Sequence, residues 1–281
     1  MFNNIIEKIP IPISGLILAF LSLGTIMPEF SLKFKFVLIG LVLIILLLLK
    51  VIYYPNDVLM DLSNPIILSC SGTFSMALMV LSTYLNPFNG TLAIAIWILG
   101  IALHILLIVW FTYRYIIRGF DITTVYPSYW IVFVGISMAA ITAHVHGLSL
   151  VGFICFWFGF VSMIITLPLV IYRYLMYPDI EDQNKPLICI FSALFSILIV
   201  GYINSVSVIS IGFLMVMYII AFAFFLFALI KFISYDDLEF YPSFSAFTFP
   251  FVITTIASIE VSKIISQWIF GIIIPIQALI A

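Results

Sequence analysis

Apolar runs long enough to cross a bilayer recur along this chain, and polar residues gather in the short breaks between them. About 20 consecutive apolar residues span the hydrocarbon of a membrane. On that scale the pattern predicts ten helices, over 12–28, 36–53, 65–83, 91–113, 127–143, 150–174, 186–204, 208–233, 242–259 and 264–281. Alternate runs open on a proline: Pro12, Pro65, Pro127, Pro186 and Pro242. Proline suits a first helical turn, where its missing N–H would lack a partner anyway. The repeating unit is then a helical hairpin, and five hairpins with parallel first helices can close around an axis. The expected fold is an all-α integral membrane protein of ten helices in five hairpins, forming one transmembrane channel domain over residues 1–281. Odd helices should form an inner ring and even helices an outer one.

Hydroxyl side chains follow the same alternation. Serine and threonine number 20 in the 90 residues of the odd runs and 6 in the 110 of the even runs. Hydroxyls facing lipid find partners less easily than those facing protein or water. The odd helices should therefore surround a neutral pore, with Ser14, Ser22, Ser71, Ser75, Gly135, Ser137, Ser192, Ser196, Ser245, Val252 and Thr255 as candidate lining residues. Close helix packing on small residues is the plainer alternative.

Composition agrees with a membrane protein: 65% of residues are hydrophobic, 8% are charged and the mean hydropathy is +1.34. The short alternating segments of a β-barrel are absent. A formal net charge of −2 favours no nucleic acid partner. Cys70, Cys155 and Cys189 lie in apolar runs without metal-ligand spacing and read as core residues. No metal or other cofactor is expected. Lys8 before the first run resembles a signal peptide, but that run is the first copy of the repeat and should be retained. The last run reaches residue 281 without a polar tail, as a trimmed end would. Asn89-Gly90-Thr91 is a weak glycosylation triplet.

Lys8, Lys50, Arg114, Arg118, Arg173, Lys185 and Lys231 fall on one side, and Lys33, Lys35 and Lys263 on the other. The positive-inside rule then places both termini in the cytoplasm of a plasma-membrane protein. No Asp, Glu, Lys or Arg lies well inside an odd run; Glu260 and Lys263 fall just past the ninth. A neutral pore suits fast conduction better than a proton- or sodium-coupled pump. All five odd helices would present their N-termini at the cytoplasmic mouth, which favours anions. Basic residues closing the even helices add to that field, or simply snorkel to the interface.

The ninth run begins Phe240-Tyr241-Pro242-Ser243-Phe244-Ser245-Ala246-Phe247-Thr248-Phe249-Pro250. Pro250 should kink this helix. Ser245, Phe249, Val252 and Thr255 share one helical face, so the Phe249 ring could plug the pore, or pack as an ordinary aromatic. Phe247 and Phe251 point elsewhere and read as packing.

The stretch Ala246–Pro250 resembles the ninth helix of plant slow-type anion channels and of the bacterial TehA-type tellurite-resistance and dicarboxylate-transporter proteins. Tyr126-Pro127-Ser128 with Gly135, Asn64-Pro65, and Pro12-Ile13-Ser14-Gly15 resemble the starts of that family's fifth, third and first helices. The resemblance implies a homotrimer in a lipid bilayer, one pore per protomer lined by odd helices, and occlusion by Phe249. The long regulatory tails of plant members are missing, which puts phosphorylation control in doubt. His104 reads as a packing hydrogen bonder, and His144 with His146 makes too sparse a set for a metal site. The expected function is a passive, phenylalanine-gated channel for small monovalent anions such as chloride and nitrate. A carrier for C4-dicarboxylates, sulfite or tellurite-type oxyanions is the alternative. Enzyme motifs are absent, so no catalytic residue is assigned.

Overall fold

The structure, a computed structural model, describes residues 2–281, with side chains from Ile5 onward. The described residues are helical without strands. In chain order the α-helices are α1 (Phe2–Glu7), α2 (Ile13–Ile26), α3 (Phe30–Tyr53), α4 (Pro55–Asp61), α5 (Pro65–Leu85), α6 (Gly90–Phe111), α7 (Ser128–Phe133) and α8 (Ser137–Thr142). They continue with α9 (Ser149–Met176), α10 (Phe191–Ser205), α11 (Ile211–Ile233), α12 (Phe249–Ile264) and α13 (Phe270–Ile280). A π-helix, Thr112–Ile117, extends α6. 3-10 helices Asp182–Ile190 and Pro242–Phe247 lead into α10 and α12. Seven helical runs are long and apolar enough to cross a membrane, and α2 and α13 are shorter apolar helices.

Local chemistry explains where helices start. Asn64 caps α5, accepting from Ile66 N–H at 2.8 Å and Ile67 N–H at 3.3 Å, and Pro65 follows in the first turn. Asn89 caps α6 through Leu92 N–H at 3.0 Å. Pro12 and Pro127 stand at the N-caps of α2 and α7. Pro186 departs from the expected pattern: it lies inside a 3-10 helix that begins four residues earlier.

Packing sorts the elements. α2 packs on α3, α5 on α6, α8 on α9, α10 on α11, and α12 on α13. A second set of contacts joins α2 to α5, α5 to α7 and α8, α8 to α10, α10 to α12, and α12 back to α2, closing a ring. Within the apolar windows of α5, 182–205 and 242–264, 61–94% of residues are buried. The windows of α3, 90–117, α9 and α11 are 22–33% buried and present Leu, Ile, Val and Phe outward. That contrast follows the hydroxyl alternation seen in the sequence.

Four boundaries differ from expectation. The fifth run breaks into α7 and α8 around Gly135, where a Cβ would lie 2.2 Å from the Ile131 carbonyl oxygen and 2.9 Å from Met76 Sδ. The ninth run breaks at Thr248 (φ −100°, ψ −86°), so Pro250 stands in the first turn of α12 instead of kinking a helix interior. There its missing N–H removes no helical bond. α12 also runs to Ile264, which places Glu260 and Lys263 inside its last turns as an ion pair of 2.6 Å. The tenth run begins only at Phe270.

A tight seam between a buried and an exposed helix runs through Gly100 of α6. A Cβ there would lie 2.9 Å from the Ser75 carbonyl oxygen and 3.0 Å from Met79 Cγ. Gly100→Leu should force α5 and α6 apart and cost about 1–3 kcal/mol. Thermal unfolding in detergent is expected to shift down; an unchanged transition would contradict this packing.

Candidate functional site: an axial cavity among the buried segments

Three cavities succeed one another along the same five segments. The first, about 630 Å³, is lined by Ile11, Asn64, Tyr126, Gln183 and Tyr241, among others. The second, about 50 Å³, is lined by Gly15, Thr73, Met76, Trp130, Gly135, Ala193, Ile197, Ser245 and Phe249, with further apolar neighbours. The third, about 560 Å³, is lined by Ser22, Thr25, Val80, Thr83, Met138, Thr142, Val200, Asn204, Ile253 and Ile256, together with charged and loop residues. On every segment the residue number rises from the first cavity to the third. The five segments are thus parallel, and the cavities mark one axis. Pro12 and Cys70 border both the first and second cavities. No residue of α3, α6, α9, α11 or α13 lines the middle one.

The middle cavity is the narrow point. About 10–15 Å³ holds one water, so it has room for a handful at most. Its wall is apolar, and no charged residue belongs to it. Phe249 is 5% exposed and borders this cavity. Its neighbours point outward: Phe247 and Phe251 pack against Phe232 of α11, with ring centroids 5.0 and 5.7 Å apart. Among the described residues Phe249 joins no such ring pair.

The candidate lining residues divide. Gly135, Ser245, Phe249 and Pro250 border the middle cavity, and Ser22 borders the third. Ser14, Ser71 and Ser75 border a different cavity between α3 and α6. Ser137, Ser192, Ser196, Val252 and Thr255 are buried and border none of these spaces. Hydrogen bonding explains most of this. Ser192 donates to the Cys189 carbonyl at 2.9 Å, Ser196 to that of Ser192 at 2.7 Å, and Thr255 to that of Phe251 at 3.0 Å. Ser14 donates to the Ile11 carbonyl and accepts from Thr73 at 2.7 Å, fastening α2 to α5. Ser137 turns toward α9, where a Cβ on Gly159 would lie 2.1 Å from its Oγ. A hydroxyl inside an apolar bundle finds its nearest acceptor on its own helix. The expected hydroxyl-lined conduit is therefore, at its narrowest, lined mainly by apolar side chains.

His104 is a packing hydrogen bonder, as read from the sequence. It is fully buried, with Nδ1 2.7 Å from Ser75 Oγ and Nε2 3.1 Å from the Val132 carbonyl oxygen. His146 sits 2.9 Å from Ser82 Oγ; burial, and then nearby His144, holds its pKa below the ordinary value. The three cysteines are buried and unpaired. Among the described residues no cluster of three metal-ligating side chains occurs.

Arg173 escaped the sequence reading as a site residue. It belongs to the exposed helix α9 yet is 3% exposed and reaches the first cavity. It donates to the Thr123 carbonyl at 3.2 Å, to Tyr126 Oη at 3.0 Å and to the Tyr177 carbonyl. Asp61, Asp179 and Glu181 border the same cavity, so this mouth is not a uniformly positive funnel. Met76, Trp130, Ala193 and Ile197 carry no hydroxyl, the feature by which the sequence marks lining positions. The available signal was helical spacing: Met76 stands one turn from Thr73, and Ala193 one turn from Ile197.

These features define a multi-pass membrane protein with a constricted axial path. A family model described as voltage-dependent anion channel (SLAC1) matches residues 12–281, and the chain belongs to that family. Its members are anion channels and transporters. No curated protein matches the chain.

The axial order has a direct test. In a background with Cys70, Cys155 and Cys189 replaced by alanine, Asn64→Cys and Thr83→Cys should react with a membrane-impermeant thiol reagent from opposite sides of sealed vesicles. Ala193→Cys should resist from both. Labelling of positions 64 and 83 from the same side would contradict the order.

Proposed function

We propose that this chain is a passive channel for small monovalent anions such as chloride and nitrate. It crosses the plasma membrane ten times as five hairpins forming one domain over 1–281, with both termini in the cytoplasm. The odd segments form the inner ring and the even ones the outer. Assembly as a homotrimer with one conduit per protomer carries over from the family resemblance. The observation that carries the reading is the apolar, charge-free constriction on the axis of five parallel segments. An ion passing there leaves most of its water behind and meets no fixed charge that would hold it. Conduction needs weak binding, and a hydrophobic neck can gate by excluding water.

Phe249 is the gate of this reading. The break at Thr248 gives it a hinge between the 3-10 turn before it and α12 after it. Thr248 Oγ1 donates to the Ser245 carbonyl at 2.7 Å, holding the present arrangement. A carrier of dianions would need a cation facing the constriction, and the wall is neutral. Of the residues expected from the sequence to line the pore, Gly135 and Ser245 border the neck beside Phe249.

Currents from purified protein in planar bilayers test the gate. Phe249→Ala should raise anion conductance about tenfold or more, the effect of lowering a barrier by about 1.4 kcal/mol. An unchanged current in a variant that elutes and melts like the parent would remove Phe249 from the role.

A further inference from the structure

Two cavities on the outer wall join into one groove that the axial path does not use. The inner part, about 360 Å³, lies between α3 and α6 with α5 as its floor. Leu47, Leu48 and Val51 of α3 face Leu103, Leu106 and Trp110 of α6 across it. Its two floor hydroxyls are already engaged: Ser71 donates to the Leu68 carbonyl at 2.7 Å, and Ser75 to that of Gly72 at 2.8 Å. The cleft therefore presents an apolar surface of a size that suits an acyl chain.

The outer part, about 520 Å³, is lined by Leu106, Val109, Trp110, Tyr113, Arg114 and Arg118. Leu106 and Trp110 border both parts, so the apolar cleft opens directly onto two arginines. The π-helix Thr112–Ile117 carries Tyr113 and Arg114, and Arg118 closes it through its N–H to the Tyr113 carbonyl at 3.1 Å. Such single-turn π segments are frequent at functional positions.

Charge decides the occupant. Among the described residues the ion pairs are Lys50–Asp61, Lys185–Asp182 and Lys263–Glu260, and neither arginine joins one. Arg114 and Arg118 lie over the rings of Tyr115 and Tyr113, 5.4 and 4.5 Å from the centroids. Asp121, the nearest acid in sequence, accepts from the Thr123 N–H at 2.9 Å and hydroxyl at 2.7 Å. The C-terminal end of a helix is itself negative, so attraction for an anion at this spot has to come from the guanidinium groups. We propose that this groove binds one anionic phospholipid, with an acyl chain between α3 and α6 and the phosphate at Arg114 and Arg118.

The wall of the groove is tied to the conduit. His104, one residue from Leu103, bonds the Val132 carbonyl beside the break at Gly135. Lipid binding itself does not depend on conduction, so its test stands apart from that of the gate.

Native mass spectrometry of protein released from nanodiscs of equimolar phosphatidylglycerol and phosphatidylcholine, with matched acyl chains, reads the site. Retained phosphatidylglycerol should exceed phosphatidylcholine by roughly fivefold or more per arginine. R114Q/R118Q should bring the two to parity. Leu106→Trp, a change at an exposed position, should reduce retained lipid of both kinds by filling the cleft. Equal retention in the parent protein, a preference that survives R114Q/R118Q, or displacement by inorganic phosphate would overturn the proposal. So would a disulfide between Leu106→Cys residues of two protomers, since a second copy would then fill the groove.

Discussion

Polar groups inside an apolar bundle must find their partners within it, and this constraint shapes the whole molecule. Ser192, Ser196 and Thr255 bond carbonyls of their own segments, and Ser14 with Thr73 joins two segments. With those groups satisfied inward or sideways, the five buried segments can approach one another on glycine and short side chains. What remains to face the axis is mostly hydrocarbon. A narrow neutral neck thus follows from hydroxyls that bond their own segments, more than from a lining selected for polarity.

Two backbone breaks sit where the neck is tightest. Gly135 interrupts the fifth segment and Thr248 the ninth, and both lie beside the middle cavity. Irregular backbone at membrane depth is tolerated where it is buried in protein or lines a cavity. The fifth and ninth segments are broken at the constriction, the seventh passes from 3-10 to α-helix there at Ile190, and α5 runs past it uninterrupted. The helices with exposed faces contribute at the mouth: Arg173 of α9 turns inward and pins the loop around Thr123 and Tyr126.

The sequence was most legible where physics is local. Prolines 12, 65 and 127 marked helix starts, and the crowding of hydroxyls into alternate runs marked which runs are buried. The facing of each hydroxyl was not legible, because a serine that bonds its own helix and one that faces a lumen read alike. Nor was the break at Thr248, since a proline in the first turn of a new helix and a proline kinking an old one have the same sequence. Arg173 was hidden for another reason: its burial depends on carbonyls of residues 123 and 177, one of them 50 positions away. The clustering of Arg114 and Arg118 beside an apolar cleft likewise needed the approach of α3 to α6.

The central claim is that an uncharged, dehydrating neck sets which ions pass. A bi-ionic reversal potential in planar bilayers tests it, with iodide on one side and an equal concentration of chloride on the other. Larger anions give up water more cheaply, so the potential should carry the sign that marks iodide as the more permeant ion. A reversal potential that favours chloride would show that fixed charge, not dehydration, governs the path, and would contradict the account.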